Sequence, residues 1–362
     1  MHPDAATDVW RTEMLPTRLR SGRRPFTGAA LPGHLVWHGA SVRDFDGLTS
    51  IGKLRRLRRV AAQALRRYDL RDYRLALLAN SFNTIFRVSC AGEIFVLRVG
   101  PALRIHTPDA AYAESAWTTE LAAAGLRVPR IVTTSDGSPS VRAAANDVPG
   151  ARECTLLTWT TGRALTRPVS ARDVHDLAVL SARLHSASPA RRSRPHGALN
   201  GRSGLLFELP NRLSELPEPR RSLFTAALAR AQSGIDGLWQ RRAEPPPLIH
   251  HDLTPSNVLR DRHGLGPIDF QDLTWGHREQ DLANTIYGLT RGDIVNETIE
   301  RFRSSYETLR PWPELNDDLL ADLFAARRAS MVNLALAVGR PGLDDYVARH
   351  SDALRTYLRS RG

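Results

Sequence analysis

Three oxygen-bearing side chains lie close together in the second half of the chain. Asp252 and Asn257 belong to a polar segment that follows the apolar residues 248–249, and Asp269 ends a later apolar stretch. Phosphoryl transfer needs a positioned acceptor hydroxyl and neutralisation of the charge on the transferred group by Mg²⁺. A carboxylate can orient the hydroxyl and take its proton, and Mg²⁺ prefers oxygen ligands such as an amide oxygen and a second carboxylate. The three residues supply these groups and indicate metal-assisted phosphoryl transfer.

The residues around these three form a longer pattern. The chain reads HHDLTPSN at 250–257, IDFQD at 268–272 and GHREQDLA at 276–283. This order resembles the aminoglycoside phosphotransferase and choline kinase-like family, and within it the homoserine-kinase-like bacterial branch; protein kinases use a similar order of Asp, Asn and Asp. The resemblance implies an enzyme, a small-molecule kinase that uses ATP and Mg²⁺ to phosphorylate a hydroxyl group of an antibiotic or a small metabolite.

The same resemblance implies a role for each residue of the pattern. Asp252 would be the catalytic base that orients the acceptor, and Asn257 and Asp269 would be the metal ligands. His250 would brace the catalytic loop, and Asp281 would hydrogen-bond to the backbone of that loop.

The family pattern also predicts a cation for the ATP phosphates on the third strand of the first lobe. The single lysine, Lys53, lies well ahead of that strand at 93–99, so Arg98 occupies the position. A guanidinium is permanently charged and can bind phosphate oxygens in a bidentate manner. Glu114, on the following helix, is the predicted partner of Arg98, and Glu120 is its rival.

Two further segments are expected to contact the nucleotide. The loop 80–84 has no glycine, so its backbone N–H groups, together with Ser81 and Asn83, would have to bind the phosphates. Thr158 lies in the segment 156–159, which falls where the family has the connector that holds adenine.

Hydrophobic periodicity predicts the elements that must position these residues. Runs of aliphatic and β-branched residues predict strands, and a period of 3.6 residues predicts helices. The predicted strands lie at 73–79, 84–90, 93–99 and 155–160, and the predicted helices at 51–68, 109–124, 171–187, 223–238, 293–310, 316–338 and 342–360. The pattern predicts an α+β, bilobal protein-kinase-like fold with a small β-rich N-lobe and a larger, mainly helical C-lobe.

Three regions follow from this pattern. We expect a poorly ordered basic extension over 1–48, an N-lobe with the nucleotide-binding strands over 49–160, and a C-lobe with the catalytic and metal-binding loops over 161–362. ATP is expected to bind between the lobes.

The composition narrows the classes of partner. The net charge of +12 raises the question of nucleic acid binding, but residues 1–72 alone hold 14 basic and 7 acidic side chains, so most of the excess precedes the candidate site. Nucleic acid is therefore an unlikely partner. Cys90 and Cys154 have neither disulfide nor zinc spacing. The sequence has no apolar run of roughly 18–20 residues and no signal-peptide pattern at its start, so a cytoplasmic location is expected.

The identity of the acceptor stays open at this point. An amino alcohol, an amino acid, a sugar or an antibiotic would all fit, and the balance of charge at 291–330 does not separate them. Candidate acceptor-binding residues, each with a structural alternative, are Glu208, Asp272, Tyr287 and Asn333.

A different class of function is a pseudokinase or regulatory binding protein that uses the basic segment 1–72, including the basic helix 51–68, to bind an acidic partner. The intact set of Asp252, Asn257 and Asp269 argues against this alternative.

Overall fold

The computed structural model describes residues 44–165 and 168–360. Of the predicted extension 1–48, all but 44–48 lies outside the described residues. The helices are α1 (Ser50–Leu65), α2 (Ala110–Ala123), α3 (Ala171–Ala187), α4 (Arg220–Arg241), α5 (Arg278–Thr290), α6 (Asn296–Glu307), α7 (Asp317–Ala337) and α8 (Leu343–Ser360). The strands are β1 (Arg74–Asn80), β2 (Thr84–Cys90), β3 (Glu93–Val99), β4 (Ile131–Val132), β5 (Val141–Ala143), β6 (Arg152–Thr158), β7 (Arg163–Ala164), β8 (Leu199–Asn200), β9 (Leu248–Ile249), β10 (Val258–Asp261), β11 (Gly264–Pro267) and β12 (Thr274–Trp275). Sheet and helices together confirm the predicted α+β class.

The first compact unit, 44–102 with 141–154, is built on an antiparallel sheet. The strands β1, β2 and β3 form a meander, and β6 follows β3, with β5 paired to β6. The turn between β2 and β3 has Ala91 and Gly92 at φ 50° and 85°, the backbone that a tight two-residue hairpin requires. The predicted bounds of β2 and β3 are confirmed, because runs of aliphatic, aromatic and β-branched residues on either side of the turn define them directly.

Helix α1 packs on this sheet. Thr49 caps its N-terminus by accepting a hydrogen bond from the backbone N–H of Gly52, and Val60, Ala61 and Ala64 are buried. Its basic face is partly used within the unit, since the Nε atom of Arg56 lies 3.2 Å from a carboxylate oxygen of Asp147. The predicted basic helix is therefore a packed element of the first unit.

The second compact unit, 103–140 with 155–360, contains helices α2–α8. Helix α3 packs along α6, and α4 packs along α7, which also contacts α5 and α8. The compact units divide the chain differently from the predicted boundary at 160, because α2 and β4 belong to the helical unit. No described helix has both the length and the apolar character that a membrane span needs.

Helix α5 is absent from the sequence prediction. Almost its whole surface is buried, including the polar residues Glu279, Gln280 and Asp281. A helix that is enclosed on all sides has no single apolar stripe, so the 3.6-residue pattern that reveals the other helices is missing.

A buried hydrogen-bond chain positions the segment that leads to Asp252. Trp117 of α2 is 1% exposed and donates from its indole nitrogen to the hydroxyl of Ser188 at 2.9 Å. Ser188 in turn donates to the carbonyl of Leu248 in β9 at 2.8 Å. The Trp117 ring also meets Phe270 edge-on, with centroids 5.4 Å apart. Residues on both sides of the candidate site are thereby fixed to α2.

Two glycines of α4 provide a test of the packing between α4 and α7. A methyl group at Gly234 would lie 2.7 Å from the Cγ atom of Asp322, which is buried and accepts a hydrogen bond from Tyr357 of α8 at 2.7 Å. We expect Gly234→Ala to lower the free energy of unfolding by about 1–3 kcal/mol, because the overpacking outweighs the gain in helix propensity. Urea-induced unfolding followed by circular dichroism measures the change.

Gly237 is the matched control on the same helix. A methyl group there would meet only the flexible end of the Arg241 side chain, at 3.0 Å. Gly237→Ala should therefore raise the free energy of unfolding by about 0.5–1 kcal/mol. Equal effects of the two substitutions would contradict the packing that we describe.

Candidate active site

A β-hairpin brings the two predicted metal ligands together. Val258 of β10 pairs with Pro267 of β11, and beyond this pair the backbone N–H of Ile268 donates to the carbonyl of Asn257 at 2.8 Å. Asn257 therefore lies at the open end of the hairpin next to Ile268, and Asp269 follows directly. Asp269 has a left-handed backbone, φ 63° and ψ 67°, which is uncommon for a residue other than glycine and often marks a functional position.

Asn257 also binds the predicted base. Its Nδ2 atom donates to the Oδ2 atom of Asp252 at 2.6 Å and to the backbone carbonyl of Asp252 at 3.0 Å. These bonds use both hydrogens of the amide, which leaves the Oδ1 atom as its acceptor. The hairpin thus joins Asp252, Asn257 and Asp269 in one site.

The donor set fits Mg²⁺. Within the described residues, no group of three or more His, Cys, Asp or Glu side chains is arranged to bind a metal. One amide oxygen and one carboxylate suit Mg²⁺ nevertheless, because this ion keeps several water molecules and usually takes one or two protein carboxylates together with substrate phosphates.

The loop that carries Asp252 is fixed by buried side chains of α5. His251 has a positive φ of 62°, and its backbone N–H donates to the Oδ1 atom of Asp281 at 2.6 Å. Asn284 donates from Nδ2 to the carbonyl of His251 at 3.0 Å, and the other oxygen of Asp281 lies 2.9 Å from Nε2 of His185. The predicted role of Asp281, a hydrogen bond to the catalytic-loop backbone, is confirmed.

His250 braces the same loop from the other side. The backbone N–H of Asp252 donates to His250 Nδ1 at 3.3 Å, so the ring proton is on Nε2, which donates to the carbonyl of Ile268 at 3.1 Å. The His250 ring packs against Phe270 with centroids 4.7 Å apart. The predicted bracing role of His250 is confirmed, and the bond to Ile268 connects the loop to the hairpin.

The sequence prediction missed Arg327. This residue of α7 donates from Nη2 to the Oδ1 atom of Asp252 at 2.6 Å, and the two side chains are 13% and 24% exposed. Both carboxylate oxygens of Asp252 therefore have a partner. The sequence contained one indication that Arg327 has a buried partner: Arg327 and Arg328 lie side by side in a helix that is otherwise mostly apolar. Buried arginines normally require a carboxylate or a ligand.

Burial and charge set the protonation of the acidic groups. Burial raises the pKa of Asp252 to about 7; Arg327 opposes this shift, and the negative charges of Asp272 and Asp269 add to it. Burial would also raise the pKa of Asp272, but the hydrogen bond and charge of His106, 2.7 Å away, outweigh it and hold that pKa below its usual range. A bound divalent cation would lower both pKa values.

The predicted nucleotide-binding residues are divided between the two units. Ser81, Asn83 and Arg98 belong to the first unit, and Glu114 and Thr158 belong to the second. In the first unit, the backbone N–H of Ser81 donates to the carbonyl of Asn83 at 3.0 Å, which closes a tight loop, and Arg98 is only 5% exposed. Their contacts with nucleotide stay predictions.

Within the second unit, Glu114 and Glu120 differ sharply. Glu114 is 1% exposed, whereas Glu120 has a largely exposed carboxylate that pairs with Arg191. Glu114 is therefore the better candidate to partner a buried cation, and its pairing with Arg98 stays a prediction. Thr158 donates from its backbone N–H to the carbonyl of Arg130 and accepts from the Arg130 N–H on its hydroxyl, both at 2.9 Å.

The four candidate acceptor-binding residues have different surroundings. Asn333 accepts from the N–H of Arg212 at 2.7 Å and donates to the carbonyl of Pro210 at 3.0 Å, which is a structural role. Glu208 is exposed and lies 3.9 Å from Arg194. Asp272 influences Asp252 electrostatically, and Tyr287 influences Arg327, so these two are the candidates that remain close to the base.

Asp281 provides a pH-dependent test of the loop brace. Burial would raise its pKa, but the hydrogen bond and charge of His185, with the charge of His250 and the bond from His251, hold it below the usual value. Because the folded pKa is below the unfolded value of about 3.9, the carboxylate stabilises the fold above that pH, and the stabilisation is lost as the pH falls through the folded pKa. Asp281→Asn should therefore lose about 3 kcal/mol of unfolding free energy at neutral pH.

Urea unfolding between pH 7 and pH 2 measures this change, and the gap between wild type and variant should narrow below about pH 4 as Asp281 becomes protonated. Asp352→Asn, which removes a carboxylate that is 76% exposed, is the control and should have little effect. A gap that stays constant with pH would show that the Asp281 charge does not support the loop.

Several solved structures and one family model are similar to this chain. No curated protein sequence matches the chain. Among solved structures, a microcompartment-associated aminopropanol kinase matches with a TM-score of 0.67 and 22% identity over 83% of this chain and 98% of that one. The amicoumacin kinase hAmiN, solved with AMP-PNP, Ca²⁺ and Ami, matches with a TM-score of 0.64 and 16% identity over 82% and 92% of the two chains.

Choline kinase from Cryptosporidium parvum Iowa II matches with a TM-score of 0.53 and 11% identity over 81% of this chain and 91% of that one. At these identities the similarity shows a common protein-kinase-like fold. The model of the phosphotransferase enzyme family matches residues 72–315, which is more than half of the chain and includes the entire hairpin site. The chain therefore belongs to the phosphotransferase enzyme family.

Proposed function

We propose that this protein transfers the γ-phosphoryl group of Mg²⁺-bound ATP to a hydroxyl group of a small molecule. The observation that carries the proposal is the hairpin site, in which Asn257 binds the carboxylate of Asp252 at 2.6 Å and lies beside Asp269. Membership of the phosphotransferase enzyme family supports the reaction class. Structural neighbours whose names describe kinases of aminopropanol, amicoumacin and choline support a small acceptor.

In this mechanism Asp252 receives the acceptor hydroxyl. The hydroxyl proton passes to the Asp252 carboxylate, the acceptor oxygen bonds to the γ-phosphorus, and ADP leaves with the electrons of the broken β–γ bridge bond. Asn257 keeps the carboxylate in one orientation through its Nδ2 atom. A hydroxyl that reaches Asp252 has to share the Oδ1 atom with Arg327 or displace it.

Asn257 and Asp269 would hold Mg²⁺ through the amide oxygen and the carboxylate. When bound, the ion neutralises charge on the phosphates during transfer. Arg98 would bind phosphate oxygens, with Glu114 as its counter-charge, and Ser81 through its hydroxyl and Asn83 through its backbone N–H would contact the phosphates. Thr158 would contribute its backbone carbonyl to adenine, since its N–H is bonded to Arg130.

The pseudokinase alternative is less well supported. A protein that had lost catalysis would not need to keep the catalytic base, both metal ligands and the bonds from Asp281 and His250 that position them. The part of the basic segment that the structure describes includes Arg56 and Arg59, which pair with Asp147 inside the first unit and are less available to an acidic partner.

Substitution of Asp252 tests the reaction. We expect Asp252→Asn to reduce acceptor-dependent ADP release by about 10²–10⁴-fold, because general-base catalysis is lost, while the KM for ATP changes little. ADP release from Mg-ATP is measured across aminoglycosides, macrolides, amino alcohols, amino acids and sugars. Asp317→Asn, an exposed carboxylate on α7, is the matched control and should retain activity.

The contrary result would be ADP release that is unchanged in Asp252→Asn. Lack of turnover with every acceptor, together with no thermal stabilisation by Mg-ATP, would favour the pseudokinase or binding-protein alternative.

The metal requirement provides a separate prediction. Chelation of divalent cations should abolish activity, and Asp269→Asn should raise the Mg²⁺ concentration for half-maximal activity by about tenfold or more, which is ~1.4 kcal/mol of binding free energy. Asp261→Asn, which changes a carboxylate on the same hairpin away from its open end, is the control. An unchanged Mg²⁺ dependence in Asp269→Asn would remove this residue from the metal site.

A further inference from the structure

A group of arginine and tyrosine side chains lies next to the predicted base. We call it the arginine cluster and define it as Arg327, Arg328, Arg340, Arg349, Tyr287 and Tyr346. It is formed by α5, α7, α8 and the residues between α7 and α8, all within the second unit. Arg327 connects the cluster to the reaction centre through its 2.6 Å bond to Asp252.

The tyrosine rings hold the guanidinium groups near one another. The guanidinium carbon of Arg340 lies 4.2 Å from the centroid of the Tyr346 ring, and that of Arg349 lies 5.9 Å from the same centroid. Arg328 lies 5.3 Å from the Tyr287 ring and donates to the carbonyl of Gly292 at 2.8 Å. Stacking on aromatic rings positions these cations but does not neutralise their charge.

Carboxylates of the candidate active site act on one end of the cluster. The acidic groups that act on Arg327 are Asp252 and Asp272, both in the candidate active site. On α8, Asp344 is 99% exposed and lies 3.5 Å from Arg220, and Asp352 pairs with Arg355. Asp344 and Asp352 thus have partners outside the cluster.

The buried side chain of His350 also borders the cluster. It lies beside Tyr346, with ring centroids 4.4 Å apart. Burial and then the charges of Arg328, Arg349 and Arg340 lower the pKa of His350 to about 3. A neighbouring carboxylate would have acted in the opposite direction.

Several donor atoms of the cluster also lack a hydrogen-bond acceptor. In the part of the chain that the structure describes, Nη1 of Arg327 and both Nε and Nη1 of Arg340 are buried and have no partner. Buried donors of this kind are rare in folded proteins, and each requires an explanation such as a bound ligand. A carboxylate or phosphate group is the acceptor that fits a guanidinium best, because two parallel hydrogen bonds can form.

We propose that the acceptor of this kinase carries an anionic group, a carboxylate or a phosphate, which binds the arginine cluster while the acceptor hydroxyl faces Asp252. The inference rests on the proposed function and specifies its substrate class. Because Arg327 belongs to the cluster and touches Asp252, the anionic group and the reacting hydroxyl are held a short distance apart, as in a small hydroxy acid or a sugar phosphate. The anionic group takes no part in bond making or breaking.

The same charges disfavour a cationic acceptor. An amino alcohol or a polyamine antibiotic would bring positive charge towards four guanidinium groups, and like charges placed together cost several kcal/mol in comparable interfaces. The arginine cluster therefore discriminates by repulsion as well as by attraction.

Pairs of acceptors that differ only in the acidic group test the proposal. L-homoserine is compared with 3-amino-1-propanol, D-glycerate with glycerol, and glucose 6-phosphate with glucose, each by ADP release from Mg-ATP. The anionic member of at least one pair should have a kcat/KM that is about tenfold or more above that of its partner. The carboxylate and phosphate pairs distinguish which group the cluster binds.

Substitutions in the cluster give the second measurement. Arg340→Gln should raise the KM for the preferred anionic acceptor by about tenfold, with a smaller change in kcat and an ATP KM within about twofold of wild type. Arg340→Lys, which keeps the charge, should recover part of the loss. Arg355→Gln removes an exposed arginine of α8 that pairs with Asp352, and it should leave the acceptor KM unchanged.

A higher kcat/KM for the neutral or amino member of the pairs would overturn the inference while the kinase activity stands. A preference for the anionic member that Arg340→Gln leaves unchanged would do the same. No turnover with any anionic acceptor by a protein that Mg-ATP still stabilises would also overturn it. Failure of Mg-ATP to stabilise the protein at all would instead remove the proposed function.

Discussion

The buried carboxylate of Asp281 is the interaction on which the candidate active site depends. It accepts a hydrogen bond from the backbone of His251, a residue held at φ 62°, and it is paired with His185 in an environment closed to water. Left-handed backbone costs about 1–2 kcal/mol for a residue with a side chain, so the loop keeps this shape only when other contacts impose it. Asp281 and Asn284, one turn apart on α5, supply those contacts and direct Asp252 towards the hairpin.

Asp252 itself depends on a balance between burial and two opposing sets of charges. Burial and the carboxylates of Asp272 and Asp269 favour its protonated form, whereas Arg327 and Asn257 favour the ionised form. A base that is ionised but held in place by hydrogen bonds can accept a proton without first losing a tight hydration shell. The guanidinium from α7 therefore connects Asp252 to the helices that form the arginine cluster, so under the proposed function one residue would both bind the acceptor and orient the base.

Much of the fold follows from local patterns. The strands β2 and β3 are specified by runs of aliphatic, aromatic and β-branched residues and their tight turn by glycine, and α1 and α2 end within a few residues of their predicted limits. Helix α5 was not predicted, because a helix buried on all sides has no amphipathic period. The predicted boundary at 160 also differs from the compact units, since α2 packs with the helical unit through Trp117 and Phe270, a contact between residues far apart in sequence.

The sequence by itself predicted the phosphotransferase family, which the family model confirms, and it singled out Asp252, Asn257 and Asp269 as the candidate groups, because they lie within one short segment that two short strands are enough to assemble. The roles of His250 and Asp281 followed from the same segment. Tertiary structure alone decided which group approaches Asp252 from elsewhere: Arg327 is 75 residues away along the chain and reaches the carboxylate from α7. A local pattern can specify groups that one loop carries, whereas the contact between Arg327 and Asp252 forms only when a distant helix packs beside that loop.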